Sequence, residues 1–307
     1  MRYDVVIVGG GPAGLAAALT LGRACRRVLL CDAGSRRNAA AVHVHNFVTR
    51  DGVTPTEFRR TAREQLAPYA VEIRDERVLA ITGERDRFDV RLEADSVQAR
   101  RILLCTGMID DLPEIEGVLE LWGTSIFQCP YCHGWEIRNQ RFAYLARDAS
   151  ALSFALLLRG WTNDVVALTN GKFPIPDDDR AALVEGSVVI EERPIRRLTV
   201  RNDRLGHIEF TDGGPLERDA LFMHPAQRQV EVVRALDLEL DEKGFVQVDE
   251  TTRQTPVPGI YAAGDIAAPV QGGQAAVLSA AAGMRAAAAL NHELTRLLAG
   301  ARWRSWP

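Results

Sequence analysis

The chain has 307 residues, a formal net charge of -4 and 47% hydrophobic residues, enough for two domains of ordinary size with a globular composition. That charge sets aside nucleic acid and acidic membrane as partners, since both ask for a basic patch, and no uninterrupted apolar run of about 18 residues marks a membrane span. Five cysteines are an odd, modest count that fits a reducing compartment better than a disulfide framework, so a cytoplasmic location is expected.

Val5 to Val8 is a β-branched run leading at once into Gly9, Gly11 and Gly14, then into the helical pattern of Leu15, Ala18, Leu19 and Gly22. Strand, tight turn and helix in that order form a dinucleotide fingerprint. The first glycine makes the turn, the second lets backbone approach a pyrophosphate, and the third lets helix pack on strand. The helix N-terminus then takes the phosphates. Asp4 and the glycine run argue against reading Tyr3 to Leu21 as a signal segment. A second strand, Arg27 to Cys31, ends in Asp32, about twenty residues on, where an acid can hold a ribose hydroxyl pair. Cys25 in the first helix, Cys31 and Cys105 read as small buried residues. His43 and His45 alternate in a loop; with no carboxylate or thiol partner apparent, they read as contacts to cofactor or substrate rather than metal ligands.

Cys129-Pro130-Tyr131-Cys132-His133-Gly134 is the stretch that points to chemistry. Two thiols spaced by two residues can close into a disulfide that opens and shuts in turnover. His133 beside them can move the proton that exchange requires. The same letters spell a c-type haem attachment site, which would need export, and half of a zinc site, whose other ligands are not close in sequence. Further on, the strand Phe142 to Leu145 runs through Ala146 to Ala151 into a helix over Leu152 to Leu158, and the strand Val165 to Leu168 follows. Gly259 to Asp265 reads as a short strand ending in a Gly-Asp turn, before an alanine-rich helix from about 274 to 297. Trp303 and Trp306 lie on a C-terminal tail that either covers apolar surface or is disordered.

Taken together, Gly9 to Gly14, the Cys105-Thr106-Gly107 stretch, and Gly264-Asp265 with Gln274-Ala275 resemble the successive FAD-binding motifs of the low-molecular-weight thioredoxin reductase family, over essentially the full length. The resemblance implies an α/β protein of two Rossmann-like three-layer domains. A discontinuous FAD domain would occupy 1-112 and 243-307, and a degenerate NADPH-type insert carrying the cysteine pair would occupy 113-242. It implies FAD as cofactor, held by Gly9, Gly11, Pro12, Ala13, Gly14, Asp32, Asn46, Val78, Thr106, Gly107, Gly264, Asp265, Gln274 and Ala275. Asp32 would meet the adenosine ribose, Asp265 the ribityl or phosphate region, and Gln274 with Ala275 the pyrimidine edge of the flavin. Cys132 would face the flavin, Cys129 would exchange with substrate, and His133 would take the place of an acidic residue. A homodimer is implied as well.

The departure from that family is at the second nucleotide turn. Ala146 and Asp148 stand where two glycines would admit NADPH, and Asp148 puts an acid where a phosphate would lie. Downstream, Thr169-Asn170-Gly171-Lys172 offers one lysine where a 2′-phosphate asks for an arginine cluster; Arg180 and Lys172 are the basic residues that could compensate. Electrons then run from a dithiol through Cys129 and Cys132 to FAD and on to dioxygen, as in the thioredoxin-reductase-like dithiol oxidases of holomycin and gliotoxin type, which the hexapeptide resembles. The expected partners are a small-molecule dithiol and dioxygen. The alternatives are a thioredoxin reductase fed weakly by NADPH or by a protein donor such as ferredoxin, acting on a thioredoxin-like protein, and a flavin-binding redox sensor without turnover.

Overall fold

The computed structural model describes residues 2–267 and 274–299; the tail with Trp303 and Trp306 lies outside the described residues. The chain divides into two compact units, one of residues 1–39, 55–109 and 227–307, the other of 40–54 and 110–226.

In the first unit, β1 (Arg2–Val8), α1 (Pro12–Arg23), β2 (Val28–Cys31), α2 (Pro55–Glu64), β3 (Val71–Arg74), β4 (Ala80–Glu84), β5 (Arg87–Arg91) and β6 (Ser96–Leu104) succeed one another. The sheet runs β3-β2-β1-β6-β5-β4, with the strand Ile260–Ala262 also pairing β6. Its nucleotide half is parallel, and β4 and β5 close it as an antiparallel ribbon. Strand side chains alternate between faces, so Val5 and Ile7 enter one core with α1 and the helix Ala276–Ala299, while Val6 and Val8 enter another with Phe88, Val90 and Val233. Burial on both faces is why β1 is a near-continuous apolar run.

The second unit has its own parallel sheet, in the order Val189–Glu191, Val165–Leu168, Phe142–Leu145, Ala220–Met223 and Ile126–Phe127. Phe142 and Tyr144 face a core shared with the helices Ser153–Leu158 and Asp177–Glu185. Ala143 and Leu145 face one closed by a three-stranded antiparallel sheet built on Ile195–Arg201 and Arg204–Phe210. Both units are therefore layered α/β folds of Rossmann type, but the second has an antiparallel sheet as its third layer.

Two boundaries differ from the sequence reading. The loop 40–54 groups with the cysteine unit rather than with the glycine turn. Residues 227–242 group with the first unit because Val232, Val233 and Leu238 pack into its core. Cys25 is also corrected: it is exposed and has a φ of 59°, just past the end of α1. There Arg26 N–H donates to Leu21 O and Cys25 N–H to Gly22 O, both at 3.0 Å, a Schellman close with cysteine in the usual glycine position. Cys31 and Cys105 are buried, and burial pushes Cys31 up to about 12.

Candidate active site

The first unit builds a cradle at the end of β1. Gly9 has a φ of 113°, and a Cβ there would lie 2.3 Å from Cys105 O; one on Gly14 would lie 1.9 Å from Gly9 O. Both close approaches require glycine. Above Gly11 the space is open, at the N-cap of a 12-residue helix that begins with Pro12. Open space over a helix N-terminus fits a pyrophosphate. Ala13, in the first turn of α1, is covered by Gly283, whose Cβ would meet Ala13 O at 2.0 Å, and a Cβ on Gly264, which has a φ of 85°, would lie 2.9 Å from the Ala13 side chain. The long alanine-rich helix thus lies directly against α1, and Gly283 escaped the motif reading.

Asp32 lies at the end of β2 and is 6% exposed. Its Oδ2 accepts from Arg59 Nε at 2.9 Å and Nη2 at 2.5 Å, and its Oδ1 from Gly34 N–H at 2.9 Å. Gly10 is a glycine because a Cβ there would come within 2.0 Å of the same carboxylate. Arg59, on α2, is a partner that no motif announced. Asp265 and Gln274 are brought together by Arg37, another residue without a motif. Thr106 and Gly107 follow β6, with Gly107 at a φ of 66°, and Ala275 precedes the long helix. Val78 is 4% exposed and its side chain belongs to the core.

The second unit holds the cysteine pair. Cys129 is the N-cap of the short helix Pro130–His133, and the Cys132 N–H donates to its carbonyl at 3.2 Å. The Cys132 thiol donates to the Cys129 sulfur, and with the N–H groups of Cys132 and Tyr131 this brings Cys129 down to about 7 against the opposing effect of burial. Cys132 is pushed up by the same bond and by burial. The two directions favour the thiolate on Cys129 over that on Cys132.

His133 stacks on Phe127 with ring centroids 4.5 Å apart, and Phe127 is placed by the strand Ile126–Phe127 at the edge of the sheet. Both ring nitrogens are sealed from solvent and make no well-aligned hydrogen bond. Burial, helped by nearby His45, holds His133 below its ordinary value, against the pull of Glu136 and the Cys129 carbonyl. That shift favours the neutral imidazole, next in sequence to Cys132.

His45 does have carboxylate neighbours: its Nδ1 lies 3.5 Å from Asp51 and its Nε2 3.5 Å from Glu136. The His43 ring is 5.9 Å away. Among the described residues no group of three or more His, Cys, Asp and Glu side chains converges as a metal site. Asn46, at a φ of 60°, donates its side-chain amide to the Tyr131 carbonyl between the two cysteines. Tyr131 and Trp135 are 61% and 66% exposed, Tyr131 edge-on to Trp161 at 5.3 Å. Gly134 is glycine because a Cβ there would meet Pro130 O at 2.5 Å and the Trp161 ring at 2.8 Å.

The second strand-turn-helix, after Phe142–Leu145, is closed by side chains. Ala146 is 1% exposed. Asp148 is the N-cap of the turn Ala149–Ala151 and accepts from the Ser150 hydroxyl at 2.6 Å. Beside it, Tyr144, Phe154 and His224 pack ring on ring, lining a shallow cleft of about 430 Å³. Downstream, the Asn170 side chain accepts from Ile195 N–H at 2.6 Å, and Arg180 pairs with Glu192 at 2.8 Å.

The family model for pyridine nucleotide-disulphide oxidoreductases matches residues 3–149 and 192–290. The chain is similar to the oxidoreductase from Agrobacterium tumefaciens, at 34% identity, a TM-score of 0.89 and coverage of 96% of this chain and 99% of that one. It is likewise similar to HlmI, at 37% identity, a TM-score of 0.86 and coverage of 96% and 93%. Thioredoxin reductase sirT of Leptosphaeria maculans is 30% identical, with 88% of each chain covered. The chain belongs to the pyridine nucleotide-disulphide oxidoreductase family and is an FAD-dependent disulfide oxidoreductase of thioredoxin reductase-like type.

Proposed function

We propose that this chain is a dithiol oxidase: it closes a disulfide in a small-molecule dithiol, takes the electrons through Cys129 and Cys132 to FAD, and passes them to dioxygen. The observation that carries the reading is the Asp148 turn. Asp148, the N-cap residue of that turn, sets a carboxylate bonded to the Ser150 hydroxyl at the helix start where a nucleotide phosphate would lie, and Ala146 stands at the position of the first glycine. Arg180, one of two basic residues that could compensate, is already paired with Glu192.

In the oxidised protein one substrate thiolate attacks Cys129, and Cys132 departs as a thiol with a proton from the site. The second substrate sulfur then attacks the first, closing the substrate disulfide and expelling Cys129. A sulfur of pKa about 7 is a good leaving group. Neutral His133 is suited to take the proton from the incoming thiol. FAD, when bound, supplies the two-electron acceptor. Gly9, Gly11, Pro12, Ala13 and Gly14 would hold its pyrophosphate, Asp32 its ribose, and Asp265, Gln274 and Ala275 its flavin end. Asn46 would act on the cysteine side, holding the Tyr131 carbonyl.

A reductase acting on a thioredoxin-like protein is the second reading, favoured by the name of the Leptosphaeria relative. Anaerobic stopped-flow mixing separates the two. Rapid bleaching of the flavin by dithiothreitol but not by NADPH, with peroxide released on admitting air, is the outcome expected of the oxidase. Rapid bleaching by NADPH overturns it.

A further inference from the structure

Arg37 belongs to no motif, yet it ties together two residues that do. Its Nη1 donates to Asp265 Oδ2 at 3.1 Å and to the Gln274 side-chain oxygen at 2.5 Å. The other Asp265 oxygen accepts from the Ser279 hydroxyl at 2.8 Å. The Gln274 and Gln227 amides bond reciprocally at 3.0 and 3.1 Å, so the Gln274 amide has one orientation. Groups from four stretches of chain thus satisfy one another around a guanidinium whose side chain is 21% exposed. Such a network is rigid, and its charge is less screened than in water.

We propose that Arg37 is a positioning residue for the flavin that also raises its reduction potential. It fixes Gln274 and Asp265, and it sets a permanent positive charge behind the amide assigned to the pyrimidine edge. The inference rests on FAD occupying the glycine cradle, and it holds for either direction of electron flow. When a dithiol is oxidised by flavin, its two sulfurs lose two electrons and join. The flavin takes both electrons and one proton, and the second proton is released. The reduced flavin then carries a negative charge on its pyrimidine side. Asp265 balances Arg37 overall, but the pair is oriented, and its positive end is the one bonded to Gln274. A fixed positive end at the place where charge develops favours the reduced form. Arginine keeps its charge at every working pH, so this bias does not titrate.

The test compares wild type, Arg37→Met and Arg37→Lys for FAD affinity, by titrating apoprotein and following flavin fluorescence, and for the two-electron potential, by dye equilibration. Arg37→Met is expected to weaken FAD binding about tenfold. It is also expected to shift the oxidised-to-reduced balance about tenfold, a fall of about 30 mV. Arg37→Lys, which keeps the charge but not the fork, recovers most of the potential. An unchanged potential in Arg37→Met, whatever its FAD affinity or melting temperature, overturns the proposal and leaves Arg37 a purely structural contact. If Arg37→Met does not retain FAD, Arg37→Gln at saturating FAD takes its place, and an unchanged potential there overturns it equally. A wild-type apoprotein that takes up no FAD sinks the cradle itself, which the potential measurement cannot be confused with.

Discussion

The Cys132 thiol bonds the Cys129 sulfur, and with the N–H groups of Cys132 and Tyr131 this brings Cys129 down to about 7, while the same bond and burial raise Cys132. Alkylation of the reduced protein with iodoacetamide should modify Cys129 first, with a rate that follows a group of pKa about 7. Cys132→Ala removes the donor, so the Cys129 value should climb toward that of a free thiol, about 8.5, and the rate at neutral pH should fall. Peptide mapping by mass spectrometry reads the site. Equal labelling of both cysteines, or an unmoved Cys129 in Cys132→Ala, would count against the asymmetry.

The His133 ring nitrogens are sealed from solvent, and desolvation holds the imidazole below its ordinary value, which favours the neutral form. The rate of flavin reduction by a dithiol should hold its plateau to below about pH 6.5 and drop only in more acid solution. His133→Asn should cost about 10²- to 10⁴-fold in that rate. The linkage has a fixed sign: with the folded value depressed, the unfolded chain binds the proton first. This contribution to stability is therefore full above about pH 6.5 and is lost as pH falls through the folded value. Thermal melts of His133→Asn should accordingly depend less on pH in that window than those of wild type.

Gly283→Ala places a Cβ 2.0 Å from the Ala13 carbonyl oxygen, where backbone and not a flexible side chain must yield. Overpacking of this kind costs about 1–3 kcal/mol. Because Ala13 sits in the first turn of α1, the displaced helix should also hold FAD less tightly. Calorimetry and the ratio of flavin to protein absorbance check both. A melting temperature equal to wild type would mean the long helix can shift freely.

Arg101 is fully buried, bonded to Glu293 at 2.8 and 3.2 Å and to Asp86 at 2.9 Å, while the Tyr261 hydroxyl donates to Glu293 at 2.8 Å. Glu293→Gln leaves part of that cation uncompensated and should destabilise the protein by about 3 kcal/mol. Arg101 and Tyr261 hold the Glu293 carboxyl low against the effect of burial. Its contribution is thus present above the unfolded value near 4.3 and lost as pH falls through the folded one. Urea melts at pH 7 should show a wide gap between variant and wild type, narrowing as the solution is acidified. A constant gap would assign the loss to packing.

The first glycine turn and the spacing of the two cysteines on one short helix were legible in the sequence because both are local demands. Gly9 and Gly14 are glycines because backbone passes where a Cβ would sit, and such positions recur at a spacing set by one turn. Cys129 and Cys132 can share a hydrogen because one helical turn separates them. The strands Phe142–Leu145 and Val165–Leu168 were legible because burial on both faces leaves an unbroken apolar run. Cys25 was misread because helical periodicity does not register the left-handed residue that ends a helix.

Tertiary structure alone decided the pairings. Arg37 meets Asp265 across 228 residues and Arg101 meets Glu293 across 192, while Arg59 reaches from α2 to Asp32 at the end of β2. Neither periodicity nor spacing marks an arginine for such a partner, because the partner arrives only when the sheet closes. Asn46 stands out in the sequence only by its resemblance to a cofactor-side loop, and its bond to the Tyr131 carbonyl comes from the fold. Backbone sterics and covalent reach act over a few residues and so leave a signature in residue type. Charge pairing acts through space and leaves none until the chain is folded.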